Sequence, residues 1–88
     1  MKKTEDFIIR ELAGEYIMMP VGKTAQKFSG LILAYSVSSF IWQHLEKFDH
    51  VEDLAKYVCE EFEVSYEEAL KDTSELLIQM KTAGWIEG

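Results

Sequence analysis

The side chains of this sequence that most often perform chemistry are two histidines and one cysteine. His44 and His50 lie six residues apart, near the end of a predicted helix and in the turn that follows it. Together with Cys59 they show no zinc-type ligand spacing. Cys59 lies on an apolar helical stripe, a position that is typical of a buried and inert thiol. We therefore expect structural roles for all three residues.

Other catalytic signatures are not found in the sequence. It contains no glycine-rich phosphate loop and no nucleophile with a neighbouring base. The pair Ser38-Ser39 is interpreted as solvated helix surface, and Glu60, Glu61 and Glu63 as a charged rim that could alternatively form a patch for a cation or a partner. The sequence predicts a protein that is not an enzyme and has no metal or cofactor.

An uncharged segment is the strongest indication of a binding surface. It is preceded by Gly30 and followed by Ser36, and it consists of Leu31, Ile32, Leu33, Ala34 and Tyr35. Such a strand is either buried on both faces or exposes an edge that can pair with another backbone. In the second case an extended peptide can add to the sheet as a new strand. The sequence does not decide which face of the strand would meet the guest.

A predicted helix near the C-terminus supplies a possible second wall. Ile78 is apolar but lies one position off the apolar stripe of this helix, and it shares a face with Lys71, Ser74 and Lys81. A single exposed isoleucine is common on protein surfaces, so this face has an ordinary alternative explanation. We interpret the four residues as one wall of a groove beside the uncharged strand.

The elements that would position these residues follow from turn signals and periodicity. Ala13-Gly14-Glu15 predicts a hairpin, and Ser65 with Glu68 predicts a capping box. The predicted strands cover about 7–12, 16–20 and 30–35, and the predicted helices about 37–47, 51–62 and 66–83. Residues 1–88 are expected to form a single domain of the α+β class. Its predicted architecture resembles a winged helix-turn-helix, with a three-stranded antiparallel sheet followed by three helices, in the order βββααα.

The distribution of charge argues against some partners. The formal net charge is −7; residues 1–30 carry five Lys and Arg against four Asp and Glu, whereas residues 31–88 carry four against twelve. An acidic surface is a poor match for nucleic acid. No apolar run approaches the roughly 20 residues of a membrane helix, and no secretory signal is recognised. We therefore expect a cytoplasmic protein that binds neither nucleic acid nor membrane.

From about residue 30 to residue 86 the sequence resembles the PqqD family, the recognition elements that bind leader peptides in the biosynthesis of ribosomally made and then modified peptides (RiPPs). The similarity includes Phe40-Ile41-Trp42 in the first predicted helix, Phe62-Glu63-Val64 after the second, and Gly84-Trp85-Ile86 after the third. The remaining matched positions are Leu45, Leu54, Ala55, Ala69, Asp72, Leu76 and Leu77. The first helix is entered through Ala34-Tyr35-Ser36-Val37, where relatives usually show a Leu-Asn-x-Thr-like sequence.

The resemblance implies a peptide chaperone, in the pathway to pyrroloquinoline quinone (PQQ) or to another RiPP. A leader peptide would add antiparallel to the third predicted strand and pack on the third predicted helix, and the modifying enzyme would often be a radical SAM enzyme. Commonly acidic leaders would suit the two lysines of that helix. The implied peptide contacts are Leu31, Ile32, Leu33, Ala34, Tyr35, Lys71, Ser74, Ile78 and Lys81.

Two other functions remain open at this point. The order of elements also suits a winged-helix nucleic-acid binder, although the third predicted helix carries four carboxylates against two lysines. Alternatively, the third strand could pair with its own copy and form a small homodimeric structural subunit. We expect a monomer or a weak homodimer.

Overall fold

The fold combines antiparallel strands with helices. The structure is a computed structural model that describes residues 1–27, 32–34 and 36–87. The strands are β1 (Lys2–Lys3), β2 (Phe7–Leu12), β3 (Glu15–Pro20), β4 (Ile32–Ala34) and β5 (Ile86–Glu87). The helices are α1 (Thr24–Lys27), α2 (Ser36–His44), α3 (Val51–Phe62) and α4 (Tyr66–Thr82), and a 3-10 turn over Leu45–Lys47 follows α2. The predicted α+β class is confirmed.

The structure contains short elements that the predicted order of three strands followed by three helices does not include. β1 and β5 pair with each other in an antiparallel ladder that joins Lys2 to Glu87 and Lys3 to Ile86. The α1 helix lies between β3 and β4, where the sequence predicted no helix. Elements of two to four residues are too short to show a period in the sequence. Of the strand predicted over 30–35, the described part is Ile32–Ala34, and the remaining positions lie outside the described residues.

A tight hairpin forms the first half of the three-stranded sheet. The pairing of Leu12 with Glu15 leaves a two-residue turn, in which Ala13 has φ 51° and Gly14 has φ 82°. Two positive φ values are the mark of a type I′ turn, whose twist matches that of the flanking strands. β4 then pairs antiparallel with β3, which gives the order β2-β3-β4 and leaves β2 and β4 at the two edges.

The core lies between this sheet and the helices and is centred on Trp42. The Trp42 side chain is buried, and its ring meets Phe7 edge-on at 5.6 Å and Trp85 at 6.2 Å between centroids. Its indole Nε1–H donates a hydrogen bond of 3.4 Å to the carbonyl of Phe7. The Trp42 side chain thereby connects α2 to β2 and to the C-terminal segment. Ile41, Leu45, Leu54, Ala55, Val58, Ala69, Leu77, Met80, Met18 and Ile86 complete this core.

A buried carboxylate attaches α1 to the N-terminal segment. Lys27 Nζ donates a 2.8 Å hydrogen bond to Glu5 Oε1, and the Thr24 hydroxyl donates one of 2.9 Å to Glu5 Oε2. The Thr24 oxygen also accepts the backbone N–H of Asp6 at 2.7 Å. The hydrogen bonds from Lys27 and Thr24 hold the pKa of Glu5 below its usual value of 4.5. This network fixes the end of α1, from which the chain continues towards β4.

Candidate functional site

The backbone of β4 forms one edge of the three-stranded sheet. It pairs with β3 through Met18 and Ile32, Ile17 and Leu33, and Tyr16 and Ala34. In the part of the chain that the structure describes, β3 is its one strand neighbour. The opposite row of N–H and C=O groups is therefore open to another backbone. Leu31 and Tyr35, which the sequence assigned to the same binding strand, lie outside the described residues.

The predicted wall on α4 faces a cavity of about 300 Å³ that we call the terminal cavity. Ser74, Ile78 and Lys81 all line it, and Lys71 is exposed on the same face of the helix. Ile78 is the most exposed of the large apolar side chains described, at 64%. The other described lining residues are Met1, Asp49, Val51, Leu77 and Ile86. The structure thus brings three of the four predicted residues together, beside the chain termini and the start of α3.

A different flank of α4 lies next to the start of α2. Together with the first turn of α2 it encloses a groove of about 220 Å³ that we call the exit groove. Because α2 begins at Ser36, only two positions after Ala34, this groove adjoins the end of β4. Its described lining residues are Val37, Ser38, Asp72, Glu75, Leu76 and Gln79. These residues are not among the predicted peptide contacts.

Helical spacing in the sequence groups the α4 residues that line the exit groove, but it does not reveal the groove itself. Leu76 belongs to the apolar stripe of α4, whereas Asp72, Glu75 and Gln79 are exposed. Their spacing of three and four residues places them on one flank of the helix, next to the stripe. Only the position of α2 shows that this flank forms a groove with Val37 and Ser38.

The exit groove has an apolar floor and an acidic rim. Val37 and Leu76 are half-buried and pack against the core. Asp72 and Glu75 are exposed, and the three ion pairs found among the described residues involve other carboxylates. Glu68 lies one helical turn before Asp72, so it extends the acidic row. The groove can therefore accept an apolar side chain on its floor and a cationic one at its rim.

Capping interactions at both ends hold α4 in place. At its start the Ser65 hydroxyl accepts the backbone N–H of Glu68 at 3.2 Å, which is the predicted N-cap interaction. At its end Gly84 adopts φ 81°, and the Trp85 N–H donates to the Met80 carbonyl at 2.9 Å. With the bond from the Gly84 N–H to the Lys81 carbonyl, this is a Schellman motif. Both flanks of α4 are thus presented by a helix that is fixed at each end.

Neither His44 nor His50 is among the described lining residues of the two grooves. The ring of His44 packs against Phe40 at 4.5 Å and Tyr57 at 5.2 Å between centroids. Burial is the main cause that lowers its pKa below the usual 6.5, and the nearby Lys47 lowers it further. His50 is the N-cap residue of α3, and its side chain makes no capping hydrogen bond. His44 is therefore a packing residue of the aromatic cluster between α2 and α3.

The described residues contain neither a metal-binding cluster nor a membrane-spanning helix. Within residues 1–27, 32–34 and 36–87, no three His, Cys, Asp or Glu side chains come together in a way that could hold a metal ion. Among the helices of this described part, none has both the length and the apolar character that crossing a membrane requires. The Cys59 thiol is half-buried and donates to the Val64 carbonyl at 2.9 Å, so it helps to fix the loop between α3 and α4.

Comparison with known proteins gives one family and one solved structure. The family model described as "Coenzyme PQQ synthesis protein D (PqqD)" matches residues 15–86. The structure titled "TbiB1 in Complex with the TbiA(beta) Leader Peptide" superposes with a TM-score of 0.68 at 19% sequence identity, covering 100% of this chain and 96% of that chain. No curated protein sequence matches the chain. At this identity the structural match shows a shared fold.

Proposed function

Because the chain belongs to the PqqD family, we propose that it is a non-catalytic protein that binds the leader segment of a ribosomally made precursor peptide. The leader adds as a strand beside β4 and is thereby presented to a modifying enzyme, for which a radical SAM enzyme is the foremost candidate. The observation that carries this proposal is the open edge of β4 in an antiparallel sheet. The leader would be bound and presented in the cytoplasm, where ribosomes release precursor peptides.

Strand addition and side-chain recognition have separate roles in this proposal. The backbone of the uncharged segment, from Leu31 to Tyr35, supplies hydrogen bonds that do not depend on the guest's sequence. Specificity then depends on a pocket near the paired segment. The exit groove supports such a role because it adjoins the end of β4 and has an apolar floor. The residues around Ile78 remain a predicted alternative wall, which a binding experiment distinguishes from the exit groove.

Proline substitutions in β4 test the strand addition. Successive residues of a strand direct their N–H groups to opposite edges. Of Leu33→Pro and Ala34→Pro, one therefore removes a bond to β3 and the other removes a donor at the open edge. The probe is a set of 12-residue peptides selected from a random display library on the wild-type protein. We expect the variant that keeps its circular dichroism and melting temperature to lose about tenfold in affinity, because one hydrogen bond is worth about 1–1.5 kcal/mol.

Controls for this experiment use the other edge and the two flanks of α4. Of Ile8→Pro and Ile9→Pro, the variant that keeps its fold changes the outer edge of β2 and should leave peptide affinity unchanged. Gln79→Trp fills the exit groove, whereas Ile78→Trp fills the terminal cavity; both positions are exposed, so both variants should fold. We expect weaker binding only for Gln79→Trp. Strand addition at this edge would be excluded if no peptide were selected. It would also be excluded if both β4 variants kept their fold and bound the peptides as tightly as the wild type does.

The two alternative functions, a DNA binder and a structural homodimer, predict different behaviour in solution. A winged-helix DNA binder needs a basic recognition helix, and α4 exposes Glu67, Glu68, Asp72 and Glu75. A homodimer formed through β4 would sediment as a stable dimer that the selected peptides do not dissociate. We propose a monomer or a weak dimer whose partner strand is displaced by peptide.

A further inference from the structure

Charge is distributed unequally around α4. The flank that lines the exit groove carries Asp72 and Glu75, with Glu68 one turn before them, and all three side chains are exposed. Lys81 lines the terminal cavity on the other flank, whereas Lys71 lies between the two flanks, one helical turn from both Glu68 and Glu75. A peptide in the exit groove therefore meets carboxylates first.

None of the ion pairs found among the described residues involves this acidic rim. The three ion pairs among the described residues join Lys2 to Glu87, Lys3 to Glu46 and Lys27 to Glu5, so these lysines are engaged elsewhere. Residues 31–88 carry four Lys and Arg against twelve Asp and Glu. On this part of α4 the exposed Glu68, Asp72 and Glu75 outnumber Lys71, which favours a cationic guest over an acidic one.

We infer that the preferred guest is a cationic peptide, in which Lys or Arg residues flank an apolar strand-forming segment. This inference rests on the proposed function and deepens it, since it specifies the partner's chemistry. The apolar segment pairs with β4, and the basic residues lie over Asp72 and Glu75 where the guest passes the start of α2. The family resemblance implies a different guest, an acidic leader that would suit Lys71 and Lys81, and this stays a prediction.

The strength of the preference follows from the exposure of both carboxylates. Ion pairs in contact with solvent contribute little individually, and two of them together should change affinity by about threefold to tenfold. Salt should reduce the effect, because the Debye length falls from about 10 Å at 0.1 M to about 3 Å at 1 M. The preference is therefore best measured at low ionic strength, as a difference between matched peptides.

The experiment is a selection from the same random 12-residue library on three proteins. They are the wild type, a double variant with Asp72→Asn and Glu75→Gln, and a matched control with Lys71→Gln and Lys81→Gln. Each double variant neutralises two charges of α4. We expect Lys and Arg to be enriched beside an apolar segment for the wild type and for the lysine variant, and the enrichment to be lost for the carboxylate variant.

Synthetic peptides complete the test. A selected peptide and its Lys→Glu version are compared by fluorescence anisotropy at 50 mM and 500 mM NaCl, with a predicted affinity ratio of about threefold to tenfold at low salt that shrinks at high salt. Selected peptides without a basic bias, or a bias that disappears in the lysine variant, would overturn this inference and leave strand addition intact. Selection of no peptide by any of the three proteins would overturn the proposed function itself.

Discussion

Thr73 is fully buried in the middle of α4, and its hydroxyl has no hydrogen-bond partner among the described residues. A buried hydroxyl that has lost water without gaining a partner costs about 1–3 kcal/mol. Valine has nearly the same shape and, like threonine, is branched at Cβ, so the helix propensity of the two residues is similar. We therefore expect Thr73→Val to raise the free energy of unfolding by about 1–2 kcal/mol.

Urea denaturation measures this change directly. The midpoint should rise at an unchanged m-value, and the melting temperature should rise by about 5–10 °C in a domain of this size. Thr82→Val is the matched control: Thr82 is the exposed last residue of the same helix, and its substitution should change stability by less than about 0.5 kcal/mol. Peptide affinity should not change in either variant.

Thr73→Ser separates the methyl group from the hydroxyl. It keeps the polar atom and removes one buried methyl group, so it should destabilise the protein by about 1 kcal/mol. If Thr73→Val instead lowered stability by 1 kcal/mol or more, the hydroxyl would have a real partner. The obvious partner would be the carbonyl of Ala69, four residues earlier in the helix. That result would refute the reasoning from the unpaired hydroxyl.

Two other substitutions test the fold. Because the pKa of Glu5 is lowered in the folded state, its carboxylate stabilises the protein above pH 4.5 and loses this contribution as the pH falls through the folded value. Glu5→Gln should therefore lower the melting temperature at pH 7 by an amount that shrinks below pH 4.5; an equal difference at every pH would contradict this. Ala13→Asn should stabilise the hairpin by about 1 kcal/mol in urea denaturation, since Ala13 has φ 51° and asparagine tolerates this conformation better. An unchanged urea midpoint would show that the turn carries no such cost.

Local patterns in the sequence were sufficient for the α+β class and for several turns. Ala13 and Gly14 predicted the hairpin, because they form a short connection between two apolar runs. Glycine also adopts readily the positive φ that such a turn requires. Ser65 predicted the N-cap of α4, since a capping hydrogen bond joins residues only three positions apart. Such features depend on neighbouring residues and are therefore visible in the sequence.

These local patterns could not predict contacts between distant segments of the chain. β1 and β5 pair through residues more than 80 positions apart, and each has only two residues, so neither shows a period. The contact of Glu5 with Thr24 and Lys27 depends on how the chain folds back over α1. Family resemblance helped with the overall fold, but it did not show that Asp72, Glu75 and Gln79 line a groove with α2.

The sequence by itself determined the elements and one open question: an uncharged strand that is either core or a binding edge. Tertiary structure placed β4 at the edge of the sheet and put Asp72 and Glu75 in a groove with the first turn of α2, whereas Lys81 lines a separate cavity. The physical reason is that helical spacing defines which residues share a flank, whereas the packing of α4 against α2 and α3 defines what each flank faces. The chemistry of the proposed guest depends on what each flank of α4 faces.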